Sequence, residues 1–142
     1  MSEEKLNKKD FPIAETRPSK VKGKRGMALS ELTMDAVLEG KVNLDDLQIT
    51  PEALLQQAEI AKSVGRKTLS GNFERAAEMN KLPNSEVIEI YELLRPGRTE
   101  SKSTLMRAAK KIRDKYQAEE LAKFIEEAGE FYEKRGLFKK RF

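Results

Sequence analysis

Apolar residues recur every three or four positions through most of this chain, and this spacing limits what it can fold into. The first long stripe follows Thr50-Pro51-Glu52, a strong helix start in which threonine caps, proline presets φ and glutamate faces the helix dipole. No segment shows the strict alternation of a half-buried strand, so we predict an all-α fold. The stripes predicted to face the core are Leu54, Ala58, Ala61 and Val64; Leu69, Phe73, Ala76 and Ala77; Val87, Ile90, Tyr91 and Leu94; Leu105, Ala108, Ala109, Ile112 and Tyr116; and Leu121, Phe124, Ile125, Ala128, Phe131 and Tyr132.

Capping and breaking residues divide the first half of the chain. Thr33 predicts the start of a short helix through Leu38, and Gly40 is placed to end that helix. Gly65 interrupts the stripe that follows Thr50, so we predict a kink or a break there.

The second half contains further helix signals. Asn84 is the predicted N-cap of one helix, which Pro96-Gly97 ends, and Thr99 can cap the next. Residues 100–135 form either one helix or two helices that meet near Gln117, and the sequence leaves both open because Tyr116-Gln117-Ala118 contains no helix breaker. These signals add up to about five or six helices.

Length and composition set the expected domain organisation. A chain of 142 residues favours one folding unit, and 38% apolar against 37% charged residues leaves little core. Residues 1–28 show no helical period and are predicted to form an extended N-terminal arm. Residues 29–142 are predicted to form a single helical domain whose remaining apolar faces are covered by a partner, and a partly disordered protein is the alternative that this composition leaves open.

The residue types that the sequence lacks narrow its function. It has no cysteine and no histidine, which removes disulfides, thiolate metal sites and the commonest general base and metal ligand. An independent enzyme is therefore disfavoured. The charged start of the chain has no apolar signal region, and no run approaches the roughly 18 apolar residues of a membrane span. We expect a cytosolic protein that does not bind membranes.

The net charge of +4 raises nucleic-acid binding as an alternative. Residues 17–25 and 136–142 together hold eight basic and no acidic side chains, whereas residues 26–135 carry a net charge of −3. Nucleic-acid binders usually concentrate basic side chains on one face with interleaved aromatics, and here only terminal segments are basic. A solvated tail, or a strap on an acidic partner, is the simpler interpretation.

The carboxylate clusters do not predict a metal site. Asp45 and Asp46 lie in a short connector, where aspartate commonly forms turns or helix caps. Glu74 with Glu78, and Glu126 with its neighbours, fall at helical spacings but lack the histidines of di-metal helical bundles. We interpret them as solvated acidic faces and predict no catalytic, cofactor-binding or metal-binding residue.

Partner recognition is the role for which the sequence offers candidates. Arg75, Arg95 and Arg98 lie near predicted helix ends and turns, where a guanidinium group can fork onto carboxylates or carbonyls of a partner. Exposed arginine with no such role is an equal alternative. Phe11-Pro12-Ile13 is an apolar spot by which the arm can attach to another surface.

Several short motifs occur here in the order found in one known family. The most specific are Asn72-Phe73-Glu74-Arg75-Ala76-Ala77-Glu78, then Pro83, Ile88-Glu89-Ile90-Tyr91 and Leu94-Arg95-Pro96. The earlier motifs are Asp10-Phe11-Pro12-Ile13-Ala14, Arg17-Pro18, Leu32-Thr33 with Val37-Leu38, and Ile49-Thr50-Pro51-Glu52. From about Asp10 to the C-terminus, the chain resembles the small (gamma) subunit of adenosylcobalamin-dependent diol and glycerol dehydratases.

This resemblance implies a helical, non-catalytic subunit that is inactive alone. Enzymes of the family are heterohexamers of two large (alpha), two medium (beta) and two small subunits, and they convert 1,2-propanediol or glycerol to an aldehyde by a radical route. The large subunit holds the substrate and a metal ion, and adenosylcobalamin lies between the large and medium subunits. The small subunit is expected to brace the large one. The expected partner contacts are Phe11, Pro12, Arg17, Arg75, Arg95 and Arg98.

The same resemblance bears on localisation. Some encapsulated relatives carry a longer amphipathic N-terminal extension, whereas only nine residues precede Asp10 here. We expect the complex in the cytoplasm, or inside a bacterial microcompartment through its medium subunit. The choice between glycerol and 1,2-propanediol would be made in a pocket of another chain and stays open.

Overall fold

The computed structural model describes residues 4–139, and α-helices dominate it. The chain forms two compact units, residues 1–77 and residues 78–142, and the predicted division into an arm of residues 1–28 and a domain of residues 29–142 stays a prediction. Within the described residues there is no strand, only an isolated bridge between Lys22 and Ala28, so the all-α prediction is confirmed. The helices are α1 (Ile13–Thr16), α2 (Met34–Leu38), α3 (Leu44–Leu47), α4 (Pro51–Ser63), α5 (Lys67–Met79), α6 (Asn84–Leu94), α7 (Lys102–Tyr116) and α8 (Glu119–Lys134), with 3₁₀ turns at Lys8–Asp10, Pro18–Lys20 and Leu29–Glu31.

Local sequence signals begin and end the helices of the first unit as predicted. The side chains of Thr33 and Thr50 each accept a hydrogen bond from the amide three residues later, at 3.2 and 3.1 Å. Gly40 and Gly65 have φ values of +71° and +76°, a left-handed conformation that glycine adopts without a Cβ penalty. Gly65 therefore separates α4 from α5, and the predicted break there is confirmed.

The N-terminal segment is not extended throughout, because it contains short helical turns. Asn7 caps the first turn, and its own amide donates to the Asp10 carboxylate at 2.9 Å. Helix α1 follows Pro12, and Pro18 begins another turn, where its fixed φ suits a helical start. Each of these turns has only three or four residues, too few for an apolar period to appear in the sequence.

The first unit has a small core. Its buried apolar cluster consists of Leu6, Ile13 and Ile60, with Val21 packed against it. Val64, predicted to face the core, is instead exposed because it lies just beyond the last turn of α4. Exposed large apolar residues are common in this unit, and they are Phe11, Leu29, Met34, Val37, Leu38, Leu44, Leu47, Ile49, Leu55, Val64 and Leu69.

The second unit has a larger core, in which α7 packs along α8. Leu105, Ile112 and Ile125 are at most 1% exposed and fill its centre. Phe124 and Phe131 were predicted to face this core, and that prediction is wrong, because they lie on the exposed side of α8. The buried cluster is Leu82, Ile90, Leu105, Ala109, Ile112, Ala118, Leu121, Ala122 and Ile125.

Two separate helices occupy residues 100–135, which the sequence left undecided. Gln117 has φ of +52°, an uncommon left-handed conformation for a residue with a side chain, and it ends α7. The side chain of Glu78 then accepts hydrogen bonds from the amides of Glu120 and Leu121, at 3.1 and 2.7 Å. A carboxylate about forty positions earlier in the chain therefore satisfies the start of α8, and it is not part of a solvated acidic face.

Two predicted N-caps are wrong. Asn84 is the first residue of α6, and Pro83 occupies the cap position. The Thr99 hydroxyl donates to the carbonyl oxygen of Leu93 at 2.8 Å, so it satisfies the end of α6 and does not cap α7. Ser101 takes the N-cap position of α7. Both misreadings arise because a polar residue beside a proline or a tight turn has several backbone groups within reach.

Ion pairs connect α7 with α8. Arg113 donates two hydrogen bonds to Glu126, at 2.8 and 2.9 Å, and one to Glu119 at 2.7 Å. The hydrogen bonds from Arg113 lower the pKa of Glu126. Lys102 lies 2.7 Å from Glu130, so these glutamates are paired across the helices and do not form the free acidic face that we predicted.

Candidate functional site: surfaces for a partner

The described side chains do not assemble a metal centre or a membrane span. Among residues 4–139 there is no group of three or more aspartate, glutamate, histidine or cysteine side chains that could hold a metal ion. No helix in that range is both long and apolar enough to cross a bilayer. The candidate functional features are therefore surfaces, together with the ion pairs that hold them in shape.

Arg17 holds the N-terminal turns together. Its Nε donates to Asp10 Oδ1 at 2.9 Å, and Glu4 lies 3.6 Å from another of its nitrogens. Thr16 donates its hydroxyl to the Asp10 carbonyl at 2.6 Å. The Asn7 amide and the Arg17 guanidinium lower the pKa of Asp10, which is buried. Arg17 thus orders the N-terminal segment, and its contact with a partner stays a prediction.

A second ion pair fixes the segment that precedes α2. The Asp46 side chain is 0% exposed, and Arg25 Nε donates to its Oδ1 at 2.9 Å while Nη2 contacts Oδ2. The Asn43 amide donates to the same carboxylate at 2.9 Å, as a helix cap. Hydrogen bonds from Arg25 and from the Asn43 amide lower the pKa of Asp46. The prediction that Asp46 acts in a turn or cap is confirmed.

Exposed large apolar residues are concentrated in α2, in α3 and at Ile49. We call this group the apolar ridge, and it consists of Met34, Val37, Leu38, Leu44, Leu47 and Ile49. Leu38 and Leu44 are 78% and 77% exposed, so most of each side chain faces solvent. Six large apolar residues within sixteen positions form the kind of surface that marks an interaction site.

Two adjoining hollows lie beside this ridge in the first unit. The larger has a volume of about 880 Å³ and lies between the N-terminal turns, residues 19–24 and the first turns of α4. Lys20, Lys22 and Lys24 line it, and we call it the basic hollow. The smaller, about 220 Å³, is lined by Leu29, Leu47 and other residues, and we call it the apolar hollow.

The predicted contacts Phe11 and Pro12 lie on the rim of the basic hollow. Both are exposed, and Phe11 is 59% exposed. Ile13, the third residue of this apolar spot, is instead buried in the core of the first unit. Within this motif, Ile13 therefore anchors the N-terminal segment, whereas Phe11 and Pro12 face outward.

In the second unit, the outer face of α6 combines an aromatic ring with a guanidinium group. Tyr91 was predicted to face the core, and this is wrong, since it is 62% exposed. The Arg95 guanidinium lies 5.9 Å from the centre of that ring and donates to Glu92 at 3.1 Å. Ile88, one turn earlier, is 61% exposed. Tyrosine and arginine are enriched at interface hot spots, so this face is a second candidate surface.

The other two predicted arginines have local partners. Arg98 Nε lies 3.8 Å from Glu92, beside the pair made by Arg95. Arg75 contacts the Asn72 side chain one turn before it. The structure thus brings Arg95 and Arg98 together around one carboxylate, whereas Arg75 lies on α5 in the other unit.

Sequence reasoning missed the apolar ridge and the two hollows. Leu38 and Leu44 flank a glycine-containing turn and share no long periodic stripe, so helical spacing alone gave them no role. The available signal was local density, because residues 34–49 contain seven large apolar side chains, six of them exposed, in segments too short to bury them.

Comparison with known proteins identifies the family. The Dehydratase small subunit family matches residues 6–139. The propanediol dehydratase small subunit of Citrobacter freundii is 43% identical over 130 residues, which cover 92% of this chain and 75% of the relative. That of Salmonella typhimurium is 42% identical over 130 residues, with the same two coverages. Such identity over nearly the whole described chain shows that this protein belongs to the dehydratase small subunit family.

Proposed function

We propose that this chain is the non-catalytic small subunit of a coenzyme-B12-dependent diol dehydratase. The complex would dehydrate 1,2-propanediol or glycerol to an aldehyde by a radical mechanism in its larger subunits. The observation that carries this proposal is the identity to two propanediol dehydratase small subunits over 92% of the chain. The surfaces of the first unit agree with it, because a subunit made for docking must expose apolar residues when it is alone.

The chain's own residues do not fit the cofactor. Adenosylcobalamin in the assembled enzyme supplies radical chemistry, and a metal ion would assist in the large subunit. This sequence has no histidine or cysteine to ligate cobalt. No grouped carboxylates among residues 4–139 are placed to hold a metal ion. We therefore assign both groups to the partner subunits and derive no catalytic step for this chain.

The contribution of this chain is mechanical. Fully burying a leucine stabilises an interface by about 1.5–3 kcal/mol, so covering Leu38, Leu44 and their neighbours on a large subunit would hold the two chains firmly. The partners are the large and medium subunits in a heterohexamer with two copies of each chain. Phe11, Pro12, Arg17, Arg75, Arg95 and Arg98 remain the proposed contacts, with Arg95 and Arg98 acting together on one face.

The proposed location is the cytoplasm, or a bacterial microcompartment entered through the medium subunit. The alternative of a nucleic-acid-binding protein finds no support among the relatives. Three of the five basic residues at positions 17–25 are also neutralised within the chain, where Arg17, Lys24 and Arg25 pair with aspartates. The last three residues of the second basic segment lie outside the described residues.

Reconstitution tests the proposed function. The chain would be co-expressed with candidate large and medium subunits, and the complex would be isolated by size exclusion and assayed with 1,2-propanediol, glycerol and adenosylcobalamin. We expect one complex of all three chains with dehydratase activity, less complex or activity when this chain is left out, and no activity for this chain alone. A chain that stays monomeric beside those subunits, or that dehydrates diols unaided, would contradict the proposal.

A further inference from the structure

We propose that the basic hollow and the apolar hollow together bind one acidic segment of the large dehydratase subunit. This inference rests on the proposed function and adds to it the chemistry of the partner segment and its place on this chain. The evidence is the lining that the two hollows share, the positive charge of the lysines and the apolar character of one end.

The two hollows adjoin each other. Val21, Lys22, Gly23, Thr50 and Ala53 line both of them. A segment that lies across these shared residues can therefore contact both hollows. The combined volume, about 880 Å³ plus about 220 Å³, suits several residues of an extended chain and not a single side chain.

The lysines of the basic hollow define the charge of the occupant. Lys20, Lys22 and Lys24 line it against a single acidic residue, Glu52. Lys24 lies 3.7 Å from Asp45, whereas no carboxylate in the part of the chain that the structure describes comes within 4.0 Å of the ammonium groups of Lys20 and Lys22. These two charges are available to an acidic partner.

The three lysines do not lie along one strand. Lys22 forms an isolated antiparallel bridge with Ala28, whereas Lys20 ends a 3₁₀ turn and Lys24 lies in a turn that the Gly26 amide closes on the Gly23 carbonyl. What the lysines share is the hollow that they line, so they match an acidic segment by charge and fix no residue interval in it.

The apolar hollow adds a second requirement, because the partner segment needs an apolar side chain at one end. Leu29, Leu47 and Ile49 line it and are 45%, 64% and 57% exposed. Two of them, Leu47 and Ile49, belong to the apolar ridge, so this hollow adjoins that group of exposed side chains. An apolar side chain just beyond the acidic residues would fill this end. A nucleic acid strand fits this end poorly, because its continuous phosphate charge would meet an apolar wall.

We choose the large subunit as the source of the acidic segment, because the proposed function has this chain bracing that subunit.

Charge reversal in the basic hollow tests this proposal directly. The variant combines Lys20→Glu with Lys22→Glu, and its matched control combines Lys62→Glu with Lys67→Glu. The control residues are exposed, belong to the same unit and lie outside both hollows, so the change in net charge is identical.

Binding of each form to the isolated large subunit would be measured at several salt concentrations, after circular dichroism shows unchanged helicity. We expect the hollow variant to bind about tenfold or more weakly and to lose most of its salt dependence, with the control close to wild type. Equal binding of both variants and wild type would overturn this inference alone. Failure of the wild-type chain to bind any dehydratase subunit would instead overturn the proposed function.

Cross-linking identifies the occupant. Because the chain has no cysteine, Ser19→Cys places one thiol on the wall of the basic hollow for a photoreactive maleimide. In the assembled complex, mass spectrometry should find it joined to an acidic peptide of the large subunit, with Ser85→Cys on α6 as the control position. A cross-link to the medium subunit, to nucleic acid, to a second copy of this chain or to a peptide without acidic residues would contradict the proposal, as would no cross-link.

Discussion

The two units of this chain use different means to hold their shape. Residues 78–142 bury nine apolar residues in one cluster, and their longest helices pack directly on each other. Residues 1–77 bury three in their cluster, depend on the Asp10–Arg17 and Asp46–Arg25 ion pairs, and contain most of the exposed large apolar side chains among the described residues. The comparison teaches that one unit carries the larger core of its own, and it supports the proposal that the other unit completes its core on a partner.

The largest expected effect lies in the core of the second unit. Ile112 is 1% exposed, and Ile112→Ala leaves a cavity among α7 and α8. We expect the free energy of unfolding to fall by about 2–5 kcal/mol, as measured by urea denaturation of the full chain. Ile88→Ala is the matched control, because Ile88 is 61% exposed and its loss should cost less than about 1 kcal/mol. Equal losses would mean that this unit has no dominant core.

Substitutions in the apolar ridge should weaken assembly and leave the stability of the isolated chain nearly unchanged. Leu38→Asp combined with Leu44→Asp replaces two side chains that are 78% and 77% exposed. We expect the unfolding free energy of the isolated chain to change by no more than about 0.5 kcal/mol per site. Assembly with the partner subunits should weaken at least about tenfold, because two leucines that the partner is proposed to cover become charged.

Phe131→Asp is the control for that prediction. Phe131 is 57% exposed, but it lies on α8 and is not one of the proposed partner contacts, so assembly should be retained. Size-exclusion chromatography of the co-expressed subunits distinguishes the outcomes. If Phe131→Asp disrupts the complex as strongly as the ridge variant, the partner does not cover the first unit preferentially.

Substitutions at two glycines compare how tightly the backbone is packed in the two units. A Cβ at Gly23 would lie 2.7 Å from the carbonyl oxygen of Asp46, which is main chain and cannot move away easily. A Cβ at Gly129 would lie 2.8 Å from the Cε of Met106, the end of a flexible side chain. Gly23→Ala should therefore destabilise the chain by about 1–3 kcal/mol. Gly129→Ala should be close to neutral, since alanine gains about 1 kcal/mol in a helix interior.

Thermal unfolding of both glycine variants checks this prediction. A lower unfolding temperature for Gly129→Ala than for Gly23→Ala would show that packing is tighter around α8 than around the residues beside Asp46.

Acid should weaken the first unit before the second. The folded-state pKa values of Asp10 and Asp46 are lowered, so their stabilisation is present above the unfolded-state pKa of about 3.9 and is lost as the pH falls through the folded values. Glu126 in the second unit shifts in the same direction, but a buried apolar core remains there after protonation. Between pH 7 and about pH 5 we expect no change, because all three carboxylates stay ionised.

Limited pepsin digestion near pH 3 measures this order. The first cuts should fall within residues 4–77, and residues 105–125 should persist longest. First cuts inside α7 or α8 would contradict the assignment of the stronger core to the second unit.

The sequence predicted the helices best where the signal and its partner lie within one turn. Thr33, Thr50 and Gly65 act on neighbouring residues, and all three predictions are confirmed. The start of α8 could not be predicted, because Glu78, which accepts from its first amides, is distant in sequence. The predicted N-cap role of Thr99 was wrong for a related reason, because its hydroxyl donates to a carbonyl oxygen near the end of the preceding helix.

The candidate site was less predictable than the fold. A resemblance of motifs gave the family, which the comparisons then confirmed. The side chains of Arg17 and Tyr91 illustrate the limit, because residue type and spacing do not reveal whether a group is paired within the chain or faces outward. The apolar ridge became visible only when burial was known.

Hydrogen exchange of the full chain, alone and in the assembled dehydratase, tests the central contrast most directly. In the isolated chain, amides of residues 105–125 should already be strongly protected, while those of residues 34–49 should exchange quickly. Assembly should then slow exchange chiefly in residues 34–49 and around Lys20 and Lys22. Equal protection of both units in the isolated chain, or no added protection of the first unit on assembly, would contradict the account.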